Sequence, residues 1–167
     1  SGNSMTLKVW KVSESTEYTV SYDVSTGSGN FDGLFTAIEE IYLVEPYFMV
    51  EISETGESCL FIFEDSITSL ELGDEVGLFD ENGIVDSNGN IGEILVGAGT
   101  WTGSQLEVVA IQGVNLSQFG GPILPGADSG NSMTLKVWKV SESTEYTVSY
   151  DVSTGSGNFD GLFTAIE

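Results

Sequence analysis

The chain contains no histidine and no arginine, and its only positive side chains are four lysines. Without histidine it lacks the commonest general base, proton shuttle and metal-binding imidazole, so acid–base catalysis would rest on carboxylates alone. A paired-carboxylate site would also need a carbohydrate cleft, and nothing in the sequence marks one; the chain reads as a non-enzyme. Without arginine there is no cationic cluster to hold phosphates, which excludes nucleic acid as a partner. The 26 acidic residues set a formal net charge of −22. A field of that sign repels anionic membrane surfaces, keeps a polymer soluble and attracts divalent cations. No apolar run of about 18 residues offers a membrane span. Cysteine is nearly absent too: Cys59, set in SCLFIFE, is alone. It is expected as a buried, unreactive thiol rather than a cross-link, and the redox compartment is not legible from it.

What is present is a repeat. The 39 residues SGNSMTLKVWKVSESTEYTVSYDVSTGSGNFDGLFTAIE fill positions 1–39 and return unchanged at 129–167, an offset of 128. A fixed period is the mark of an array. Residues 1–39 therefore read as the C-terminal part of a preceding repeat and 40–167 as one complete repeat. The expected partners are neighbouring copies of the same unit. A hydrophobic content of 40%, with nine Phe, six Tyr and three Trp, argues for a packed fold.

Residues 6–12 and 18–24 are β-branched and aromatic, and the second stretch alternates Tyr18, Val20, Tyr22 and Val24 with polar neighbours. Period two predicts a half-buried strand, and the polar SESTE between them predicts a hairpin, present twice. Residues 34–44 (LFTAIEEIYLV) cross the repeat boundary with no Gly, Pro or Ser. They are expected as a stiff boundary strand, although Leu34, Ile38 and Ile41 are also spaced for a short helix. Leu34, Phe35, Ile38, Ile41 and Leu43, with Pro46 beyond them, are the candidate contacts between repeats. A strand is expected over 46–52, a central strand over 59–63, and two short strands over 67–79 broken at Gly73-Asp74. Asn82-Gly83 and Asn88-Gly89 are hairpin signals. Residues 112–131 read as a long loop and a candidate contact surface. About nine short strands with turns between them predict an all-β fold, an antiparallel β-sandwich of Ig-like or jelly-roll-like type.

The segments GDEVGLFDENGIV, GEILVGAGTWTGSQLEVVAI, FGGPILPG, NSMTLKVWKV and GLFTAIE occur here in a characteristic order. In that order they resemble a β-sandwich repeat of large bacterial cell-surface and secreted proteins of the kind exported by type IX secretion. The resemblance covers most of the 128-residue unit and implies an extracellular, non-enzymatic module of adhesins and surface fibres. Relatives carry cysteines in the loops matching DSNGN and the stretch around Asn115. This chain has none there, so a loop-to-loop disulfide is out of reach.

Four groups of residues could carry chemistry. Asp86, Asn88 and Asn90, with Glu93 after them, set oxygen donors at alternate positions, as a loop wrapping Ca²⁺ does, with Asp74, Asp80 and Glu81 nearby in sequence. The alternative is a pair of Asx turns in a solvated hairpin. Trp101 could stack on a sugar, as Trp10 and its copy Trp138 could, or pack in the core. Asn115 lies in the sole N-x-S/T sequon, and Ser66 in the Asp-Ser-apolar pattern used for O-glycosylation in bacteria of the type named above. Lys8 and Lys11 could form isopeptide bonds, or lay their stems along the sheet. These observations lead to the expectation of a structural repeat of an extracellular filament or adhesin, joined rigidly head to tail, with strand complementation between units as one route. The second expectation is a Ca²⁺-assisted carbohydrate-binding module for surface glycans.

Overall fold

The computed structural model describes residues 2–13, 16–43 and 45–167. It divides the chain into two compact units, Ser1–Glu45 and Pro46–Glu167.

The first unit is a three-stranded antiparallel sheet of β1 (Leu7–Lys11), β2 (Thr16–Thr26) and β3 (Ala37–Leu43), in the order β1-β2-β3. Leu7 faces Val20 and Val9 faces Tyr18 across the first ladder. Val20 faces Leu43 and Tyr22 faces Ile41 across the second. With side chains alternating between faces, this register sets Leu7, Val9, Val20, Tyr22, Ile41 and Leu43 on one side, with Trp10 and Tyr42 on the other. Of the expected boundary strand, residues 37–43 are a strand and not a helix, because their backbone groups find partners on β2, whereas 34–36 lie outside it. Its expected end, Val44, lies outside the described residues, as do Glu14 and Ser15 of the expected hairpin loop.

The second unit holds β4 (Ser58–Phe63), β5 (Glu75–Ile84), β6 (Ile91–Thr100), β7 (Leu106–Ile111), β8 (Val114–Asn115), β9 (Ile123–Leu124), β10 (Thr134–Lys139), β11 (Thr144–Val148), β12 (Val152–Thr154) and β13 (Phe163–Ile166). They form two four-stranded sheets, β11-β10-β5-β6 and β12-β13-β4-β7, and a small β8-β9 ribbon. Val76, Leu78, Val96, Leu135 and Val137 from one sheet share a single buried cluster with Phe61, Phe63, Val108, Ala110 and Ile166 from the other. Two sheets closed over one core are a β-sandwich. Each large side chain buried there contributes about 1.5–3 kcal/mol. One pair departs from the antiparallel expectation, since β13 runs parallel to β4.

The expected central strand, β4, does lie between β13 and β7, with Cys59, Phe61 and Phe63 facing the core. Other expectations are corrected. Residues 46–52 form no strand, although Phe48 is buried. The Phe48 N–H donates to the Glu75 carboxylate at 3.1 Å rather than to a neighbouring strand. Residues 67–72 turn instead of extending, because the Asp74 carboxylate draws in the Glu71 N–H at 2.8 Å and the Asp74 N–H closes onto the Glu71 carbonyl. Asn82-Gly83 falls at a register shift within β5, where the Asp80 carboxylate accepts the Asn82 N–H. The hairpin turn is made by Asn88-Gly89, with Gly89 in the left-handed region at φ +79°. The long loop is tied down by the β8-β9 ribbon and by reciprocal bonds between Ile84 and Gly126 at 2.9 Å.

Candidate interaction surface at the repeat boundary

The two copies of the repeated segment have the same sequence and different surroundings, so comparing them separates local structure from packing. Local structure is shared. In the first copy the Tyr22 hydroxyl donates to the Met5 and Gly29 carbonyls at 2.9 and 3.2 Å. In the second, Tyr150 donates to Met133 and Gly157 at 2.8 and 3.2 Å. Each tyrosine ties its hairpin to the turn that follows.

Packing differs. Phe159 is fully buried in the second unit, edge-on to Phe61, whereas its counterpart Phe31 is 65% exposed in the first. Met133, Leu135 and Val137 are buried, while Met5, Leu7 and Val9 are only half-buried. Trp138 stacks on Tyr47 with ring centroids 3.9 Å apart, and Trp10 is exposed. One lysine gains partners. Lys8 pairs with Glu17 at 2.7 Å; Lys136 keeps the matching Glu145 at 3.9 Å, adds Glu93 at 2.9 Å and sits 4.2 Å above the Phe79 ring. β10 pairs with β5 on one side and β11 on the other, whereas β1 is an edge strand of its sheet.

Of the proposed contacts between repeats, Leu34, Phe35, Ile41 and Leu43 are exposed, and Ile38 is half-buried. All five belong to the first unit, and Pro46 is the exposed first residue of the second. The exposure recurs at Leu162 and Phe163, the second-unit counterparts of Leu34 and Phe35. Leu34 and Phe35, with their copies Leu162 and Phe163, are adjacent apolar residues that neither unit covers with its own core.

Two buried carboxylates hold the second unit's hairpin in place. Asp74, fully buried, accepts from Lys139 Nζ at 2.6 Å and from the Glu71 and Val140 N–H groups at 2.8 and 3.1 Å. Burial alone would raise its pKa, but the lysine and the two N–H groups together hold it below the ordinary 3.8. The Lys139 ammonium is raised above 10.5, first by its hydrogen bond to Asp74. Asp80, also buried, accepts from the Asn82 and Asp128 N–H groups and from the Asn131 amide. Sequence reading missed both clusters. For Asp74 the signal was there in Lys139, one of the chain's four cations, at the end of β10; the Asp80 cluster, built from backbone N–H groups and an amide, had none.

The remaining candidates fall apart by location. Asp86 accepts from the Asn88 and Asn90 N–H groups at 2.8 and 3.2 Å and from the Asn90 side chain at 2.7 Å. Those bonds, the Asn90 side chain first, hold its pKa below the ordinary value. Glu93 points instead to Lys136. The loop is built on one Asx turn, from Asp86 to Asn88, with the carboxylate bonded from within. Among the described residues no three Asp, Glu or Cys side chains converge as a metal site. Trp101 is 3% exposed and part of the core cluster, so the expectation of sugar stacking is corrected. The Gly73 N–H donates to the Trp101 carbonyl, and the Trp101 N–H to Asp74's, which locks the residue inward. Ser66 and Asn115 are both exposed, and the Asn115 side chain caps the Ser117 N–H at 3.0 Å. Cys59 is buried, and burial, with Asp160 second, pushes its thiol up to about 11. Lys136 and Lys139 are engaged by carboxylates in ion pairs.

The class defined by these observations is an all-β protein whose larger unit is a β-sandwich. No family model matches the chain, and no curated protein or solved structure does.

Proposed function

We propose that this chain is a stretch of a tandem-repeat structural protein of an extracellular filament or adhesin, built from acidic β-sandwich units joined head to tail. The observation that carries the reading is the exact return of 39 residues at an offset of 128, the mark of an array. β3, from Ala37 to Leu43, continues the sheet of the first copy with no Gly, Pro or Ser to loosen it. Neighbouring copies of the same repeat are then the partners, and the exposed apolar run around Leu34 and Leu43 is the contact. The type IX resemblance, the −22 charge and the exposed acceptors Ser66 and Asn115 fit a soluble, glycan-bearing cell-surface fibre. With Trp101 buried, no observation favours the carbohydrate-binding alternative. Electron microscopy of the native material tests the reading. One unit of 128 residues predicts an axial spacing of about 40 Å. A particle with the mass of one or two units and no axial repeat would overturn it.

A further inference from the structure

The second unit has an apolar groove of about 480 Å³ along the edge of the sandwich, walled by Phe63 and Ile166 on one side and Leu135 and Val137 on the other, with Val148 and Tyr150 at its rim. It lies where the chain passes from β11 in one sheet to β12 in the other. Residues 149–151 have no strand pairing there. In the first unit the equivalent residues 21–23 are the middle of β2, because β3 pairs with them: Ser21 with Tyr42, Tyr22 with Ile41, Asp23 with Glu40. The consequence is measurable in one residue. Val20, opposite Leu43, is 5% exposed even in that small sheet, whereas Val148, its copy in the full sandwich, is only half-buried.

We infer that this groove is the seat of a strand of sequence Glu-Ile-Tyr-Leu, identical to residues 40–43 and carried on directly from Glu167. The register leading into it is already set. Val152 pairs with Ile166 and Thr154 with Ala165, as Val24 does with Ile38 and Thr26 with Ala37. The Glu167 N–H then donates to the Asp151 carbonyl at 3.1 Å, which aims the next residues along 150, 149 and 148. Continuing the first unit's register sets the isoleucine opposite Tyr150 and the leucine opposite Val148. With period-two alternation both enter the groove, while the glutamate and tyrosine face outward. In the first unit that outward tyrosine, Tyr42, bonds Asp23 and Glu40 at 2.8 and 2.9 Å. Each unit thus holds what the other lacks: the first has the sealing strand without the groove, the second the groove without the strand. Residues 40–43 thus close the preceding sandwich rather than open the next, and the structural unit that follows begins at Pro46.

The inference rests on the tandem reading but needs no fibre, so the two fail separately. The chain is compared with a version carrying Glu-Ile-Tyr-Leu-Val-Glu-Pro after Glu167, and with one whose added isoleucine and leucine are both serine. Hydrogen exchange of the amides from Val148 to Asp151 and thermal melting are followed at several concentrations. The native extension is expected to slow exchange there at least tenfold and to raise the melting temperature by about 5 °C, with the serine version like the original. No change with the native extension, or an equal change with the serine version, overturns the inference. Protection that grows with concentration, together with a dimer mass, also overturns it in favour of exchange between chains. A stabilised monomer leaves the groove assignment standing even where the native material shows no axial repeat by electron microscopy, a result that removes the filament reading alone.

Discussion

At the scale of the residue, the second unit depends most on charges that the solvent does not reach. Asp74 is buried with three donors on its carboxylate, so removing its charge leaves Lys139 with a poor partner and the Glu71 and Val140 N–H groups with a weaker acceptor. Breaking a buried pair by deleting one partner costs about 3–5 kcal/mol. Lys139 keeps some access to water, so Asp74→Asn is expected near the lower end of that range, measured by urea unfolding at pH 7. The pH dependence follows from the directions of the two shifts. The Asp74 pKa is depressed on folding, so its contribution is present above its ordinary 3.8 and is lost as pH falls through the lower folded value. The Lys139 pKa is raised, so its contribution is present below 10.5 and is lost as pH rises through the higher folded value. The gap between native and Asp74→Asn stability should accordingly be widest between about pH 4 and 10 and close in strong acid. A gap that stays constant down to pH 2 would mean that the pair does not act through charge.

At the scale of the element, identical strands provide their own control. Phe159 is edge-on to Phe61 in a closed core, and Phe31 has the same sequence neighbours with most of its ring in water. Phe159→Ala should cost the second unit about 3–5 kcal/mol, the usual loss for a buried phenylalanine. Phe31→Ala should change stability by less than about 0.5 kcal/mol, as exposed substitutions do. Two denaturation curves decide it, and equal effects would mean that the first copy is packed as the second is. The same contrast explains what was legible in the sequence. Period-two alternation around Val20 and the β-branched boundary run specified strands, because those signals depend only on nearby residues. The tyrosine tie of each hairpin is equally local, and both copies form it. What could not be read was decided at long range. Asn82-Gly83 looked like a turn, but Asp80 and the pairing of β5 with β6 absorbed it as a register shift. Residues 46–52 had a strand's alternation, but the Phe48 N–H went to Glu75. Trp101 had the composition of an exposed sugar platform, and only the fold closes the core over it. Gly97, one more glycine in a glycine-rich stretch, is required because a Cβ there would lie 2.7 Å from the Val109 carbonyl oxygen.

At the scale of the whole molecule, the four lysines are a set of reporters spread over both units. Trypsin cuts after lysine and arginine, and with no arginine its only sites are Lys8 and Lys11 in the first copy and Lys136 and Lys139 in the second. The flanking sequences are identical, so any difference in cutting rate reports folding and not recognition. A protease needs several residues drawn out as an extended strand, which for a residue in a sheet means local opening. β1 is the edge of a three-stranded sheet with one apolar face largely open, and strand pairs or small sheets of that kind have low stability by themselves. β10 lies between β11 and β5, and its Leu135 and Val137 are in the core. Drawing β10 out removes the strand that joins the hairpin to the sandwich and breaks the Lys139–Asp74 pair. When reclosing outpaces cleavage, the rate follows the population of the open form, and each 1.4 kcal/mol of opening free energy slows cutting tenfold. Cleavage at Lys136 and Lys139 is therefore expected to be at least about a hundredfold slower than at Lys8 and Lys11, read as peptide masses over time. The product that accumulates should retain all of the second unit. Adding the Glu-Ile-Tyr-Leu strand after Glu167 should slow the second pair further and leave the first pair unchanged. Equal rates at all four lysines would show that β10 opens as readily as β1, and the sandwich would then not be the stable part of the chain.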